Sequence, residues 1–152
     1  MKITEPPRGP EQRKRDVLAR LERESDVWVA TAGTDGSPCL VALWFVWDGE
    51  FVWLSTRVSN PTGRNLRDGA RARLAFADTR DVVLLDGEAA VFTAQEVPSA
   101  AAGAFLARTG WDPREDSPSY AYFRVRPLAV QAWREEHELR GRHLMRDGEW
   151  AV

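Results

Sequence analysis

The chain has 152 residues, of which 43% are hydrophobic and 29% charged, and its formal net charge is −2. A single domain of this length buries roughly 70% of the surface that its unfolded chain exposes, and a sequence with this apolar content and seven tryptophans is not disordered. Its 19 arginines and 2 lysines are balanced by 23 acidic residues, so the overall charge offers no nucleic-acid footprint. A local arginine pocket for a small anion fits this balance.

The cysteine content and the hydropathy pattern exclude further classes. Cys39 is the lone cysteine, which rules out an intramolecular disulfide framework and a CxxC motif; within an apolar strand we expect it to be a small buried hydrophobe. Residues 1–16 contain no apolar segment of a signal peptide, and no run approaches the ~18 apolar residues of a membrane span. We therefore expect a soluble, cytoplasmic protein without membrane partners.

The N-terminal part is predicted to be an arm followed by a helix. Residues 1–9 hold two prolines and a glycine without periodicity, which indicates a flexible arm, and residues 10–152 form one domain. Pro10 is well placed for a first helical turn. The helix is expected to end near Ser25 and to bury a narrow apolar seam around Val17.

Residues 26–56 change to a strand pattern. Asp35-Gly36 and Asp48-Gly49 are strong hairpin signals, and the segments around them are rich in β-branched and aromatic residues. Two tight turns imply a meander of three antiparallel strands. The predicted strands are Asp26–Ala32, Cys39–Trp47 and Glu50–Thr56.

The middle strand is unusually apolar. Leu40–Trp47 does not alternate between apolar and polar residues, so both of its faces need to be covered. One face can line a barrel or sheet core. A flanking helix could cover the other face, but a chain with so few helices favours a second subunit. A homodimer is therefore expected.

The rest of the chain completes a mainly β domain with flanking helices. Asp86-Gly87 marks a bend, Pro127 indicates an edge strand or a bent strand, and the polar tail holds apolar residues that are expected to pack. Short turns between the strands imply a small antiparallel barrel or sandwich. The predicted elements are a helical turn at Arg64–Asp68, strands at Arg71–Ala77 and Asp81–Ala94, a helix at Pro98–Arg108, and a strand at Tyr120–Trp133.

Common catalytic motifs are missing from the sequence. It contains no GxSxG, HExxH, P-loop or GxGxxG pattern. His137 and His143 lie six positions apart without other obvious ligands and are interpreted as surface residues, so no metal site is predicted. Cys39 lies in an apolar strand, which is not the electropositive setting that activates a thiol. No catalytic acid, base or nucleophile is identified.

The best candidate site is the polar turn after residue 54. Ser55 and Thr56 end an apolar strand, and Arg57, Arg64 and Asn65 follow within the next loop and helix start. Phosphate groups bind to charge-assisted donors that converge from short side chains and backbone amides. This turn therefore predicts an anion site, although solvated surface arginines would give the same spacing.

The order of short motifs is more informative than any one of them. TDGSP, WDG, ST, GRNL and DGEA follow one another between the strands, and GWDPR (110–114) and RPLAVQAW (126–133) come later. This order resembles the pyridoxamine 5′-phosphate oxidase-like flavin and deazaflavin oxidoreductases, which have an antiparallel split β-barrel, the FMN-binding split barrel. The resemblance extends over residues 16–150.

The resemblance implies a cofactor, FMN or coenzyme F420, bound at a homodimer interface. Its phosphate would lie at Ser55, Thr56, Arg64 and Asn65, with Arg57 beside them from the spacing argument. The ring would lie beside the backbone of four residues of the apolar strand, namely Val41, Ala42, Leu43 and Trp44. Trp133 would approach the ring from the partner subunit, unless it is a core residue. Trp111 and Arg114 are weaker candidates for the substrate entrance.

Two departures from the family pattern limit this expectation. Thr62 stands where many relatives have a lysine, which removes a cation that a long acidic cofactor tail would favour. The Arg-x-His substrate motif of true pyridoxamine phosphate oxidases is absent near residues 140–143. The implied function is hydride transfer to a small unsaturated substrate, rather than vitamin B6 oxidation. A non-catalytic flavin- or haem-binding module is the alternative, and a barrel with an empty pocket is the third possibility.

Overall fold

The computed structural model describes residues 5–152 and shows eight strands and three α-helices there. Two short 3₁₀ helices lie at Pro113–Asp116 and Glu136–Glu138. No helix in this range is long and apolar enough to cross a membrane. The elements are α1 (Pro10–Arg23), β1 (Asp26–Ala32), β2 (Pro38–Trp47), β3 (Val52–Arg57), α2 (Pro61–Asn65), β4 (Arg71–Ala75), β5 (Val82–Phe92), α3 (Ser99–Thr109), β6 (Tyr120–Trp133), β7 (His143–Arg146) and β8 (Glu149–Trp150).

Six antiparallel strands close into a barrel. The strands hydrogen-bond in the order β3-β2-β1-β4-β5-β6, and a pairing between β3 and β6 closes the ring. β7 and β8 extend the sheet beyond β6. Fully buried side chains such as Val29, Leu54 and Val125 fill the interior. The predicted fold, a mainly β antiparallel split barrel with flanking helices, is confirmed.

α1 packs on the barrel with more than its predicted apolar seam. Val17 and Leu21 are buried as expected, but Arg13 and Arg20 are buried too. The Arg13 guanidinium donates hydrogen bonds to the backbone carbonyls of Ala132, Glu138 and Arg140, at 2.9–3.2 Å. These bonds satisfy a charge that burial would otherwise make costly. The helix therefore fastens the C-terminal segment through arginine as well as through apolar contacts.

A buried carboxylate joins the two ends of the described chain. Residues 1–4 of the predicted arm lie outside the described residues, but Arg8 donates through its backbone N–H and its guanidinium to Glu138, at 2.7–3.3 Å. Arg134 donates its backbone N–H to the same carboxylate at 2.7 Å. Burial alone raises the pKa of Glu138, but these hydrogen bonds, chiefly those from Arg8, outweigh it and lower the pKa to about 2.

The two faces of β2 differ in burial, because only the face toward the barrel is covered by residues of the same chain. Phe45 points into the barrel and is buried. Leu40 and Trp44 on the opposite face are 61% and 48% exposed, and Trp28 on the neighbouring strand is 43% exposed. These three residues define an outer apolar face, which residues 5–152 leave exposed.

The helical turn after β3 begins earlier than predicted. α2 spans Pro61–Asn65 instead of 64–68, because Asn60 caps it: the Asn60 side chain accepts a hydrogen bond from the Gly63 N–H at 2.7 Å. Cys39 is only half-buried, contrary to expectation. Its Sγ lies 3.4 Å from Oγ1 of Thr62, which is itself buried. A helix packed on the start of β2 explains both positions.

β6 has the predicted bounds but is not an edge strand. It pairs with β5 along its length, with β3 near its start and with β7 near its end. Pro127 is tolerated because the register between β5 and β6 shifts between Asp86 and Gly87, which leaves Leu128 without a partner on β5. The polar tail packs as expected, since Leu144 and Met145 of β7 are buried.

Candidate functional site

The candidate site lies where β2 and β3 separate. The two strands pair only from Phe45 opposite Leu54 to the hairpin turn. Beyond that point β2 stays with β1, while β3 continues along β6 with Ser55 opposite Tyr122. The separation opens a cleft in the barrel wall, and the polar end of β3 forms one side of it.

A cavity of about 440 Å³ occupies this cleft. Its wall combines the open edge of β2, the end of β3, the start of β6 and the loop after α3. The lining residues are Asp26, Ala42, Leu43, Trp44, Ser55, Thr56, Trp111 and Tyr120.

Two buried hydroxyls stand at the floor of the cavity. Ser55 and Thr56 are 5% and 6% exposed. Ser55 donates its hydroxyl hydrogen to the carbonyl of Ala121 at 2.8 Å, and the Thr56 hydroxyl accepts from the Asn60 side-chain amide at 2.9 Å. Ser55 therefore offers lone pairs to a ligand, whereas Thr56 can still donate its hydrogen. The hydroxyls are fixed by the fold before any ligand binds.

The edge of β2 in the cleft has free backbone groups. The Phe45 N–H donates to the Ser25 carbonyl across the β1 side at 3.0 Å. Backbone direction alternates along an antiparallel strand, so Ala42 and Trp44 direct their N–H and C=O groups to the opposite side, where β3 has left. No strand among residues 5–152 pairs with them there. This edge can bind a ligand with its own alternating donors and acceptors.

α2 places a backbone turn next to the hydroxyls. The Gly63 N–H is held by the Asn60 cap, and a Cβ at Gly63 would overlap the carbonyl oxygen of Arg57. Only glycine allows this close approach of α2 to the end of β3. The requirement explains why a glycine stands inside so short a helix.

Three exposed arginines surround this turn. The Arg57 guanidinium lies 4.9 Å from the centroid of the Tyr120 ring, Arg64 donates to the carbonyl of Ser59, and Arg67 donates to the carbonyl of Asn65 at 3.4 Å. None of these arginines forms an ion pair with a carboxylate in residues 5–152. Their charges are available to an anionic ligand.

Aromatic rings form the opposite wall. The Trp111 ring centroid lies 6.3 Å from that of Trp44 and 4.9 Å from that of Tyr120, which it meets edge to face. The Trp111 indole N–H donates to the Asp116 carboxylate at 2.7 Å, and its ring packs on the buried Phe105. Trp111 is therefore held on both sides and forms a rigid wall.

The loop that carries Trp111 is fastened by charge. Arg114 donates two hydrogen bonds to the Asp112 carboxylate at 2.8 and 3.0 Å, and this arginine lowers the Asp112 pKa. Arg114 thus serves the loop and does not line the cavity.

Burial raises the pKa of Tyr122, whose hydroxyl is buried without a partner among the described residues.

Trp111, predicted at the substrate entrance, lines the cavity. The ten residues predicted to bind the cofactor divide into two groups. Five line the cavity, namely Ala42, Leu43, Trp44, Ser55 and Thr56. Five do not, namely Val41, Arg57, Arg64, Asn65 and Trp133. The Asn65 side chain donates to the Thr31 hydroxyl at 3.1 Å. Trp133 lies at the far end of β6, opposite Val82. Their roles toward a cofactor stay predictions.

Sequence reasoning missed Asp26 and Tyr120 as lining residues. Both stand at strand starts, and a cleft between two strands gathers strand ends that are remote in sequence. No local signal marks either residue. In the range 5–152, no three His, Cys, Asp or Glu side chains lie close enough to hold a metal ion.

Comparison with solved structures shows a shared fold. An F420 reductase superimposes with a TM-score of 0.60 at 23% identity, over 74% of this chain and 93% of that one. The conserved hypothetical protein Rv2991 from Mycobacterium tuberculosis gives 0.64 at 23% identity, over 82% and 86%. HutZ, the heme storage protein from Vibrio cholerae, gives 0.65 at 14% identity, over 80% and 94%. No curated protein sequence matches the chain.

The match of the sequence to a family model shows which family the chain belongs to. The family model described as pyridoxamine 5′-phosphate oxidase matches residues 14–134, a range that runs from α1 to just beyond the end of β6 and contains every lining residue of the cavity. The barrel, the split between β2 and β3 and the polar turn after β3 all lie within it. The chain belongs to the pyridoxamine 5′-phosphate oxidase family.

Proposed function

We propose that the protein is an oxidoreductase that binds FMN or coenzyme F420 at a homodimer interface and reduces a small unsaturated substrate. The observation that carries the proposal is the open edge of β2 beside two fixed hydroxyls and an unpaired arginine turn. Family membership and the likeness to an F420 reductase support it. A reduced flavin or deazaflavin ring supplies a hydride when bound, and the protein supplies position, charge and exclusion of water.

The open edge of β2 suits the ring system of either cofactor. The pyrimidine end of a flavin or deazaflavin carries carbonyl and N–H groups in alternation, as a peptide strand does. Ala42 and Trp44 direct free backbone groups toward the cleft, so they can hydrogen-bond to this end of the ring. In this proposal the edge orients the ring while the apolar side chains beside it exclude water.

The turn after β3 suits the phosphate end. Thr56 can donate its hydroxyl hydrogen, and the three arginines lack carboxylate partners in the described chain. Arginine binds phosphate through two parallel N–H groups. Arg64 donates to the Ser59 carbonyl, but its guanidinium has five N–H groups, so it can bind a phosphate oxygen as well.

Thr62 leaves the choice between the two cofactors open. Its side chain is buried and contacts Cys39, so it makes no direct contribution to an anion site. The cation that many relatives carry at this position is therefore absent, while Arg57, Arg64 and Arg67 remain to neutralise a phosphate. We keep both FMN and F420 as candidates.

Replacing Arg64 by alanine tests whether this arginine binds the phosphate of the cofactor. We expect Arg64→Ala to weaken binding of the preferred cofactor by about 1.5–3 kcal/mol, the range for a hydrogen bond to a charged group. Titration of the purified protein with FMN and with F420, followed by fluorescence, measures the dissociation constants. Arg15→Ala, which removes an exposed arginine from α1, should leave them unchanged. Equal affinities in Arg64→Ala and the wild type would place the phosphate elsewhere.

The outer apolar face of Trp28, Leu40 and Trp44 supports the homodimer. Contiguous exposed hydrophobic side chains mark interaction sites, and the cavity opens beside Trp44, so a second subunit on this face would help to enclose a cofactor. Leu40→Glu would bury a carboxylate in an apolar interface. We expect it to raise the dimer dissociation constant at least about tenfold by the arithmetic of binding energy.

Sedimentation equilibrium of the wild type and of Leu40→Glu measures the dimer dissociation constant. Leu139→Glu is the matched control, because Leu139 is a similarly exposed leucine on the C-terminal segment, at 40%. A wild type that is monomeric at micromolar concentration, or a Leu40→Glu dimer of unchanged affinity, would refute the interface.

A non-catalytic flavin- or haem-binding module is the second candidate. The likeness to a heme storage protein supports it, and Tyr120 is a lining residue of a type that can ligate haem iron. An assay of reduced-cofactor oxidation with enones, quinones and tetrapyrroles separates the two functions. Tight cofactor binding with no turnover of any acceptor would favour the module.

A further inference from the structure

One half of the cavity combines aromatic rings with a carboxylate. Trp44 and Trp111 form its walls, with ring centroids 6.3 Å apart and an interplanar angle of 57°, and the Tyr120 ring adjoins Trp111 at 4.9 Å and 80°. Tilted and perpendicular rings present both faces and edges to the enclosed space. Ring faces carry negative electrostatic potential, so this half attracts positive charge.

Asp26 adds a full negative charge to the same half. It stands directly opposite Trp44 in the β1–β2 pair, and the backbone direction described above makes this a non-hydrogen-bonded pair, in which side chains approach most closely. Its carboxylate forms no hydrogen bond or ion pair with a described residue, and Asp26 is the one charged residue in the cavity wall. Asp26 is exposed, and its charge has no partner among the described residues that would give it a role in holding the fold together.

The positive charge of the site lies at the end of β3. Arg57 follows Thr56, and its guanidinium lies 4.9 Å from the centroid of the Tyr120 ring without lining the cavity. The cleft therefore runs from a cationic end, at Tyr120 and the β3–α2 turn, to an anionic, aromatic end at Asp26 and Trp44. A ligand pair that carries a phosphate at one end and a positive charge at the other would complement this gradient.

We propose that the aromatic half, defined by Asp26, Trp44 and Trp111, binds a flat organic cation. Aromatic faces and a carboxylate are the combination that recognises organic ammonium-type cations. One part of this inference rests on the proposed function. If the protein is that oxidoreductase, the substrate that accepts the hydride is an iminium or N-alkylpyridinium-type ion. An anionic acceptor would be repelled by Asp26.

The electron balance of such a reduction fits the residues present. With a reduced flavin or deazaflavin bound, a hydride would add to the carbon of the C=N⁺ bond, the π electron pair would move to nitrogen, and the donor would be oxidised by two electrons. Any N–H proton left on the donor would pass to solvent. The acceptor becomes a neutral amine without taking up a proton, so no general acid is required. Because Asp26 stabilises the cation and not the neutral product, its removal should raise KM more than it lowers kcat.

Calorimetric binding to the purified protein tests the site without turnover. The probes are N-methylquinolinium, neutral quinoline and the anion quinoline-4-carboxylate, which share one ring system. We expect the cation to bind about tenfold more tightly than the neutral ring, on the order expected for cation–π contacts and one nearby carboxylate. The anion should bind more weakly than either.

Two variants and one control locate the charge. Asp26→Asn should weaken binding of the cation about fivefold and leave quinoline unchanged, as expected for one partly solvated charge. Glu22→Gln removes an exposed carboxylate from α1 and should change neither. Trp111→Leu should weaken both ring compounds. Equal affinity of wild type and Asp26→Asn for the cation, or no preference for the cation, overturns the proposal.

The outcomes separate this inference from the proposed function. Binding of the cation without binding of FMN or F420 would retain the cation site and reject the oxidoreductase. Binding of either cofactor without a preference for the cation would do the reverse. In the cofactor-loaded protein, a rise in KM for N-methylquinolinium in Asp26→Asn at similar kcat is the expected kinetic signature.

Discussion

We expect Glu138→Gln to lower the free energy of unfolding by about 3–5 kcal/mol, the cost of removing one partner from a buried ion pair. Glu138 is 1% exposed. Its carboxylate accepts from the backbone and side chain of Arg8 and from the backbone of Arg134, and the buried Arg13 guanidinium lies 4.0 Å away. The amide cannot neutralise these cations, and its NH₂ group would face their N–H donors.

Urea denaturation followed by tryptophan fluorescence measures this loss. Glu135→Gln is the control, since Glu135 pairs with Arg80 in an ion pair that is largely exposed on both sides, and exposed pairs contribute about 0–1 kcal/mol. A loss below about 1 kcal/mol in Glu138→Gln would mean that the ends of the chain are held by other contacts.

The pH dependence of the stability difference between the wild type and Glu138→Gln gives a second test. The folded pKa of Glu138 is about 2, below its ordinary value of 4.5. A lowered pKa gives stability that is present above pH 4.5 and lost as the pH falls toward 2. The stability difference between wild type and Glu138→Gln should therefore shrink by about 3 kcal/mol over this interval, at 1.36 kcal/mol per pKa unit. A constant difference would contradict the ionised carboxylate.

We expect Gly63→Ala to reduce cofactor affinity at least about tenfold and to lower the free energy of unfolding by about 1–3 kcal/mol, as overpacking does. The new Cβ would overlap the carbonyl oxygen of Arg57, and that atom belongs to the backbone. α2 would have to move away from β3, which would break the Asn60 cap and displace the arginine turn.

Gly103→Ala provides the matched control on another helix. A Cβ there meets nothing within 4 Å, so alanine should stabilise α3 by up to about 1 kcal/mol and leave cofactor affinity unchanged. Titration with FMN and F420 and urea denaturation of the variants measure both quantities. Wild-type affinity in Gly63→Ala would show that the close approach of α2 to β3 does not shape the phosphate end.

Local patterns were sufficient to predict most elements. β6 has the predicted bounds, 120–133, and α3 lies one residue from its predicted range, because apolar periodicity and glycine or proline boundaries act over a few residues. The resemblance carried by the order of short motifs gave the split barrel. The polar turn after β3 was recognisable because hydroxyls and arginines directly follow an apolar strand.

The register of the first hairpin was not predictable. Asp35-Gly36 favours a two-residue turn, which would pair Thr34 with Ser37 and place Asp26 opposite Phe45. The structure instead closes a three-residue loop from Gly33 to Ser37, with Gly36 at a φ of 85°. A shift of one residue reverses the faces of a strand, and this shift is what puts Asp26 beside Trp44.

By itself, the sequence determined the strands, the helices, the family and the presence of a hydroxyl–arginine turn, since each depends on neighbours along the chain. The tertiary structure alone decided where β3 leaves β2 for β6, which backbone edge stays free, and which remote side chains meet in the cleft. Barrel closure sets these features, because one pairing, β3 with β6, fixes the positions of strands more than 60 residues apart in sequence.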